Sequence, residues 1–92
     1  MQQVTIRATN MFRFGPSTIT AHSGTLKVTL LDTGGYPHNL SVASLHITSD
    51  TVTGGFGQNR TTFTLRFPHP GTYTFECTFH SSAGMRGKFV VS

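Results

Sequence analysis

Apolar and polar residues alternate with a period of two along much of this chain, a pattern typical of strands that bury one face. The alternation is clearest at residues 3–8, 25–31, 61–67 and 72–77, and shorter runs at 18–21 and 88–92 predict further strands. Turn-forming sequences separate these runs, namely Gly15-Pro16-Ser17, Asp32-Thr33-Gly34-Gly35 and Pro68-His69-Pro70-Gly71. No run has a sustained apolar repeat at helical spacing. The sequence therefore predicts an all-β sandwich or barrel of seven to eight strands.

Length and composition agree with this prediction. A chain of 92 residues indicates one domain, spanning residues 1–92. Eight Phe supply core material, and ten Gly together with a charged fraction of 11% favour short strands joined by turns. The polar, glycine-rich residues 48–61 predict a long loop, with a short strand or turn just before it at Leu45–Ile47.

The charge balance is basic, with seven Lys and Arg against three Asp and Glu, giving a net charge of +4. The basic residues are scattered along the sequence, so no nucleic-acid-binding arm is indicated. An anionic partner surface fits the charge, although a solvated basic surface is the simpler interpretation. No segment approaches the roughly 18 consecutive apolar residues of a membrane span. The start of the sequence lacks a secretory signal pattern, which fits either a cytosolic protein or a mature or excised domain.

The candidate chemistry is concentrated between Gly71 and Gly87, where Cys77, His80 and Met85 form the pattern C-x2-H-x4-M. One further candidate, His38, lies upstream in Gly35-Tyr36-Pro37-His38-Asn39-Leu40. If that segment is a strand, a period of two turns His38 toward the core. A buried imidazole needs a partner, and both a backbone carbonyl and a metal ion satisfy that requirement.

Two imidazoles, one thiolate and one weak thioether are the ligand set of an electron-transfer copper centre. We therefore predict one copper ion held by His38, Cys77, His80 and Met85. Taken singly, these residues have simpler interpretations: a buried thiol, a loop or core histidine, a core methionine. Their joint spacing favours the metal. Zinc is disfavoured because methionine is a poor zinc ligand.

Other metal arrangements lack the residues that they need. Cys77 is the only cysteine, which excludes an internal disulfide and a thiolate-bridged pair of copper ions. The sequence also lacks a His-x-His pair, so the clusters of multicopper oxidases are not indicated. We expect His22, His46 and His69 to be surface residues without partners.

Three segments have distinctive motifs, namely Phe14-Gly15-Pro16-Ser17, Gly35-Tyr36-Pro37-His38-Asn39, and Gly71 to Cys77 continuing through His80, Gly84-Met85 and Gly87-Lys88. They resemble the cupredoxins of the plastocyanin and pseudoazurin type. The resemblance runs from about residue 11 to residue 92 and is weakest over 43–60. It implies a Greek-key β-sandwich with copper at one end, and a one-electron carrier rather than an enzyme. It also implies that Asn39, and Thr78 with it, links the two ligand segments by hydrogen bonds.

The resemblance further implies a docking surface and a location. His80 would reach solvent through an apolar patch where a redox partner docks. The hydrophobic residues Tyr36, Pro37 and Phe79, near the ligands in sequence, are expected to keep water away from the copper. Members of the family are exported, which implies an extracytoplasmic location (periplasm, lumen or cell surface) for a mature or excised domain. We expect a monomer.

Two positions depart from the plastocyanin pattern, because Glu76 replaces the usual Tyr before the cysteine and Phe79 replaces the usual Pro before the second histidine. The acidic docking patches of plant plastocyanins are missing as well, since the chain has only three acidic residues. A basic carrier for a partner with an acidic surface fits this charge better than a photosynthetic role.

Three alternatives remain at this point. The same ligands would serve copper delivery or storage. The chain would equally fit a cupredoxin domain cut from a larger oxidase or a membrane-anchored protein. A third possibility is a small basic β-barrel that binds single-stranded nucleic acid, with residues 54–59 and the nearby Phe63 and Phe67 as an aromatic stacking platform. That last function leaves Cys77, His80 and Met85 without a role.

Overall fold

The computed structural model describes residues 2–9, 13–34, 36–53, 59–79 and 84–92. Within them the chain forms nine strands, three of which have two residues: β1 (Gln2–Ala8), β2 (Phe14–Gly15), β3 (Thr18–Ala21), β4 (Gly24–Asp32), β5 (Ser41–Val42), β6 (Ile47–Thr48), β7 (Arg60–Phe67), β8 (Gly71–Glu76) and β9 (Arg86–Val91). A short 3-10 helix, Ala43–Leu45, joins β5 to β6. The described residues contain no helix long and apolar enough to cross a lipid bilayer.

The strands form two sheets that pack face to face. One sheet has the order β2-β1-β4-β7 and the other the order β3-β9-β8-β5-β6. Strands β1 and β4 are parallel, as are β3 and β9, while the remaining pairs are antiparallel. The result is an all-β sandwich, one of the two architectures that the alternating pattern predicts, and it agrees with the Greek-key sandwich that the resemblance implies.

The core forms between the inward faces of the two sheets. Ile6, Leu30 and Leu65 come from one sheet, and Phe75 and Phe89 from the other, all with side chains at 0% exposure. The rings of Phe75 and Phe89 lie 4.8 Å apart between centroids, within the range of favourable aromatic pairs. Burying one such side chain contributes about 1.5–3 kcal/mol.

The six strands predicted from alternation agree with the structure except at their ends. Strand β9 begins at Arg86 rather than Lys88, and β8 ends at Glu76, so Cys77 is the first residue after the strand. Phe67, one of the two aromatic residues considered as a stacking platform, is 1% exposed, and Phe63 packs against the core as well. A nucleic-acid-binding platform on β7 is therefore wrong, because both rings face the interior.

The segment around His38 differs from the expected strand. Only Ser41–Val42 is a strand, and His38 instead forms an isolated antiparallel bridge with Val52. The bridge has two backbone hydrogen bonds, from His38 N–H to the Val52 carbonyl at 2.9 Å and in the reverse direction at 2.8 Å. Part of the predicted loop at 48–61 is thus paired backbone, while residues 54–58 of that loop lie outside the described residues.

Candidate metal centre

Three of the four predicted ligands lie in the described residues, and all three are buried. His38, Cys77 and Met85 each have 0% exposure. His38 lies in the segment before β5, Cys77 directly after β8, and Met85 directly before β9. The fourth predicted ligand, His80, lies outside the described residues, so its role stays a prediction.

The thiol of Cys77 faces the imidazole of His38. Cys77 Sγ and His38 Nδ1 are 3.8 Å apart, although the two residues are 39 positions apart in the sequence. In zinc sites, metal–sulfur bonds are about 2.3 Å long and metal–nitrogen bonds about 2.0–2.1 Å. Two such bonds that meet at about 120° place the sulfur and nitrogen atoms about 3.8 Å apart. The observed separation thus fits two donors of one trigonal metal site, and the soft thiolate with a borderline imidazole suits copper.

Met85 is tied to Cys77 through the backbone. The N–H of Cys77 donates to the carbonyl oxygen of Met85 at 3.1 Å, so the two ends of the segment 77–85 lie side by side. Gly84 precedes Met85 with φ of +88°, a left-handed conformation that side-chain-bearing residues rarely adopt. This glycine allows the chain to turn into β9 with the methionine side chain directed inward.

A second hydrogen-bond connection joins the two ligand segments. Asn39 Oδ1 accepts from the backbone N–H of Thr78 at 2.9 Å, and Asn39 Nδ2 donates to Thr78 Oγ1 at 2.8 Å. Asn39 follows His38, Thr78 follows Cys77, and Asn39 is only 6% exposed. The expectation that Asn39 and Thr78 link the two segments is confirmed.

A third connection, which the sequence did not reveal, fixes the His38 segment from the other side. Ser49 Oγ accepts from the backbone N–H of Leu40 at 2.9 Å, and the Ser49 N–H donates to the Leu40 carbonyl at 2.8 Å. Together with the bridge between His38 and Val52, these bonds hold residues 38–40 against residues 49–52. A serine in a polar loop carries no pattern that distinguishes such a partner from a solvated side chain.

The surroundings of the site combine exposed aromatic rings with one ion pair. Tyr36 and Phe79 are 50% and 51% exposed, so neither ring is buried over the donors. Glu76 and Arg86, which flank Cys77 and Met85 in sequence, form an ion pair at 3.7 Å. Both side chains are well exposed, so this pair contributes at most about 1 kcal/mol to stability.

The other three histidines are exposed, as predicted, but two of them have hydrogen-bonding neighbours. His22 Nδ1 lies 3.0 Å from Ser92 Oγ, and His69 Nδ1 lies 3.1 Å from the Pro70 carbonyl. The expectation that they lack partners is therefore wrong for His22 and His69, because both lie in turns where a polar atom is close by. None of the three is within the cluster formed by His38, Cys77 and Met85.

Comparison with known proteins identifies the family. The family model described as copper binding proteins, plastocyanin/azurin family, matches residues 2–92. The chain belongs to this family. Copper is accordingly the metal of this family member, and the buried sulfur and imidazole donors described above are suited to it.

Individual members agree with this assignment. Plastocyanin A/B of Petroselinum crispum is 31% identical over 88 residues, which cover 86% of this chain and 87% of that protein. The plastocyanin major isoform of Arabidopsis thaliana is also 31% identical, over 77 residues, and the match spans only 44% of its length.

Solved structures give the same fold. Oxidized plastocyanin from Dryopteris crassirhizoma matches with a TM-score of 0.70 and 28% identity, covering 97% of this chain and all of that one. Reduced auracyanin from Roseiflexus castenholzii matches with a TM-score of 0.79 over 100% of this chain and 98% of its own, at 20% identity. At that identity the auracyanin likeness supports the cupredoxin β-sandwich alone.

Proposed function

We propose that this protein is an electron carrier, not an enzyme, that holds one copper ion through His38, Cys77, His80 and Met85. The observation that carries the proposal is the 3.8 Å approach of Cys77 Sγ to His38 Nδ1 inside a fully buried cluster. The copper ion supplies a one-electron Cu(I)/Cu(II) couple.

The donor set suits both oxidation states. Thiolate and thioether sulfur favour Cu(I), whereas imidazole nitrogen also serves Cu(II). A carrier works fastest when its ligands move little between the two states, which requires a rigid scaffold. The hydrogen bonds of Asn39 to Thr78 and of Cys77 to Met85 restrain the backbone beside three of the four donors. Burial of these donors also keeps water out, which adjusts the reduction potential.

The same burial favours electron transfer over copper delivery or storage. Handing a copper ion to another protein requires an incoming ligand to reach the ion while the original donors release it. Donors at 0% exposure, restrained by backbone hydrogen bonds, oppose such an exchange. An electron, in contrast, needs only close approach of a partner.

For docking, we propose an apolar surface near His80 that includes the exposed rings of Tyr36 and Phe79. Half-exposed aromatic side chains are enriched at protein interfaces, where they add contact area at little entropic cost. Redox partners with acidic surfaces are part of the proposal, because the net charge of +4 attracts them over long distances. An extracytoplasmic location and a monomeric state complete the proposal.

The visible absorption spectrum after addition of one equivalent of Cu(II) tests the function. We expect an intense blue or green band that mild reductant bleaches and reoxidation restores. In Cys77→Ser this band should disappear, because the transition depends on the thiolate. A protein that stays colourless, or whose band survives in Cys77→Ser, would contradict the assignment of Cys77 as a copper ligand.

Carrier and delivery roles are then separated by kinetics. Fast electron self-exchange with slow copper loss to a competing chelator is expected of a carrier. Rapid copper transfer to the chelator would instead favour delivery.

A further inference from the structure

The outward face of the four-stranded sheet carries an unusual charge distribution. Strands β1, β4 and β7 lie side by side, and their inward positions are largely apolar. On their outward positions lie Arg7, Lys27, Arg60 and Arg66, all exposed. We call these four residues and the outward surface between them the basic sheet face. The basic residues that are scattered along the sequence are therefore brought together by strand pairing.

The strand register fixes the spacing of these cations. Arg7 and Arg60 lie on either side of Leu31 in one row across the sheet, which separates their backbones by about 10 Å. Lys27 lies four residues before Leu31 on the central strand, about 13 Å away, and Arg66 is about 20 Å along β7 from Arg60. The cations thus cover a broad surface instead of one pocket.

The acidic residues lie elsewhere. Asp32, the last residue of β4, is 3% exposed and accepts a hydrogen bond from the N–H of Gly34, and Asp50 follows β6. Glu76 lies on β8 of the other sheet, paired with Arg86. All acidic residues of the chain are among the described residues, and none lies on the basic sheet face.

The charged residues outside the basic sheet face cancel one another in number. Four of the seven Lys and Arg lie on it, and the other three equal the acidic residues in number. The net charge of +4 is therefore the charge of one face. Such an asymmetry orients the molecule in the field of a negatively charged surface.

The chemistry of the face distinguishes among negatively charged partners. Its remaining outward positions are threonine and glutamine, apart from the half-buried Leu31. The large exposed hydrophobic residues of the described chain, Tyr36, Phe79 and Val90, all lie outside it. Stable protein interfaces depend on central aromatic or apolar anchors, which this face lacks. Adsorption to a charged bilayer requires only basic residues near the headgroups.

We propose that the basic sheet face binds reversibly to the headgroups of an anionic lipid bilayer. Residues His38, Cys77 and Met85 lie at strand ends and between the sheets, not on this face. A molecule bound in this way keeps its donor-bearing end and the exposed Tyr36 and Phe79 available to a protein partner. The proposal does not depend on copper, so its test is independent of the test of electron transfer.

Two lysines provide a matched pair for the experiment. Lys27 lies on the basic sheet face, and Lys88 lies on β9 in the other sheet. Both are exposed positions inside a strand, and changing either to glutamine removes one unit of charge. Sedimentation with vesicles of phosphatidylcholine, with and without phosphatidylserine, measures the bound fraction of each variant. Unchanged circular dichroism verifies that each variant folds.

We expect the unsubstituted protein to bind vesicles that contain phosphatidylserine and not those of phosphatidylcholine alone. Binding should weaken as salt is raised, because charges at a surface are screened over about 8 Å at physiological ionic strength. Lys27→Gln should lower the partition coefficient about fivefold, the effect of one basic residue near an anionic surface. Adding Arg66→Gln should lower it about fivefold again, whereas Lys88→Gln should leave it nearly unchanged.

If Lys27→Gln and Lys88→Gln lowered the partition coefficient equally, the proposal would be overturned, because binding would then depend on the net charge and not on the basic sheet face. Absence of binding to phosphatidylserine vesicles would also overturn it. Soluble poly-glutamate serves as the probe for an acidic protein. Lys27-dependent binding to poly-glutamate without binding to vesicles would assign the face to an acidic protein partner and reject the lipid surface.

Discussion

The backbone N–H of Cys77 donates to the carbonyl oxygen of Met85 at 3.1 Å, which joins the backbones of the two predicted sulfur ligands by a single hydrogen bond. Because this bond uses backbone atoms only, side-chain substitution at Met85 leaves it in place. The side chain of Met85, the predicted thioether ligand, can therefore be exchanged while the backbone hydrogen bond between residues 77 and 85 is kept.

Met85→Gln should retain the thiolate-dependent absorption band and lower the reduction potential. An amide oxygen is a harder donor than a thioether and stabilises Cu(II) relative to Cu(I). Each 1.4 kcal/mol of added preference for Cu(II) lowers a one-electron potential by about 59 mV. Cyclic voltammetry measures the shift. An unchanged potential would argue against Met85 as a copper ligand.

Gly87→Ala should destabilise the fold. A Cβ at position 87 would collide with the buried ring of Phe75 and would lie 2.6 Å from the carbonyl oxygen of Ser17. That oxygen already accepts the N–H of Lys88 at 2.8 Å, so it has little freedom to move. Overpacking of this kind costs typically about 1–3 kcal/mol. Urea denaturation measures the loss, and Lys88→Ala at the next, exposed position should change stability by less than about 0.5 kcal/mol.

Asn39→Ala should weaken both stability and copper binding. The substitution removes the acceptor for the Thr78 N–H and the donor to the Thr78 hydroxyl. Leaving such groups unsatisfied costs about 1–3 kcal/mol where they are buried, and less where water reaches them, as at the exposed Thr78. Chemical denaturation and the intensity of the visible band provide the two measurements.

Thr78→Ser is the control for that experiment, because it keeps both the hydroxyl and the backbone N–H. Its stability and spectrum should match those of the unsubstituted protein. A result in which Asn39→Ala behaves like Thr78→Ser would show that the link between the two ligand segments is dispensable.

Ser49→Ala should loosen the segment that bears His38. Ser49 Oγ accepts the N–H of Leu40, a residue with 0% exposure, so its loss leaves a buried donor unsatisfied at a cost of about 1–3 kcal/mol. Hydrogen exchange of the Leu40 amide should accelerate, and copper should dissociate faster.

Ser41→Ala is the matched change for Ser49→Ala. Ser41 Oγ contacts the Thr48 hydroxyl at 3.0 Å near the surface, where water replaces a lost partner. We expect little change in stability or in copper dissociation. Equal effects of the two substitutions would contradict a specific role of Ser49.

The sequence predicted the strands and the donors for different physical reasons. Strands such as β4 and β7 bury one face, so their period of two is visible directly in the residue types. The donors are recognisable because thiol, imidazole and thioether at this spacing have few other common uses. Three of the four predicted ligands are buried, and the fourth, His80, lies outside the described residues.

Features that depend on strand pairing were harder to predict from the sequence. The bridge between His38 and Val52 joins residues 14 positions apart through backbone atoms, which every residue type supplies. The basic sheet face is an intermediate case. Alternation alone turns Lys27 and Arg66 outward, but only the register of β4 with β7 makes them parts of one surface.

Strand β9 lies between β3 and β8, and it pairs residues 18–21 with residues 88–91. Neither the interior of that sheet nor the position of Met85 can therefore be established before β9 has been synthesised. Contacts between such distant parts of a chain form slowly, because a long loop must close first. Copper acquisition should accordingly be a late event in maturation, and a chain that lacks β9 should contain all four predicted ligands but no preformed metal centre.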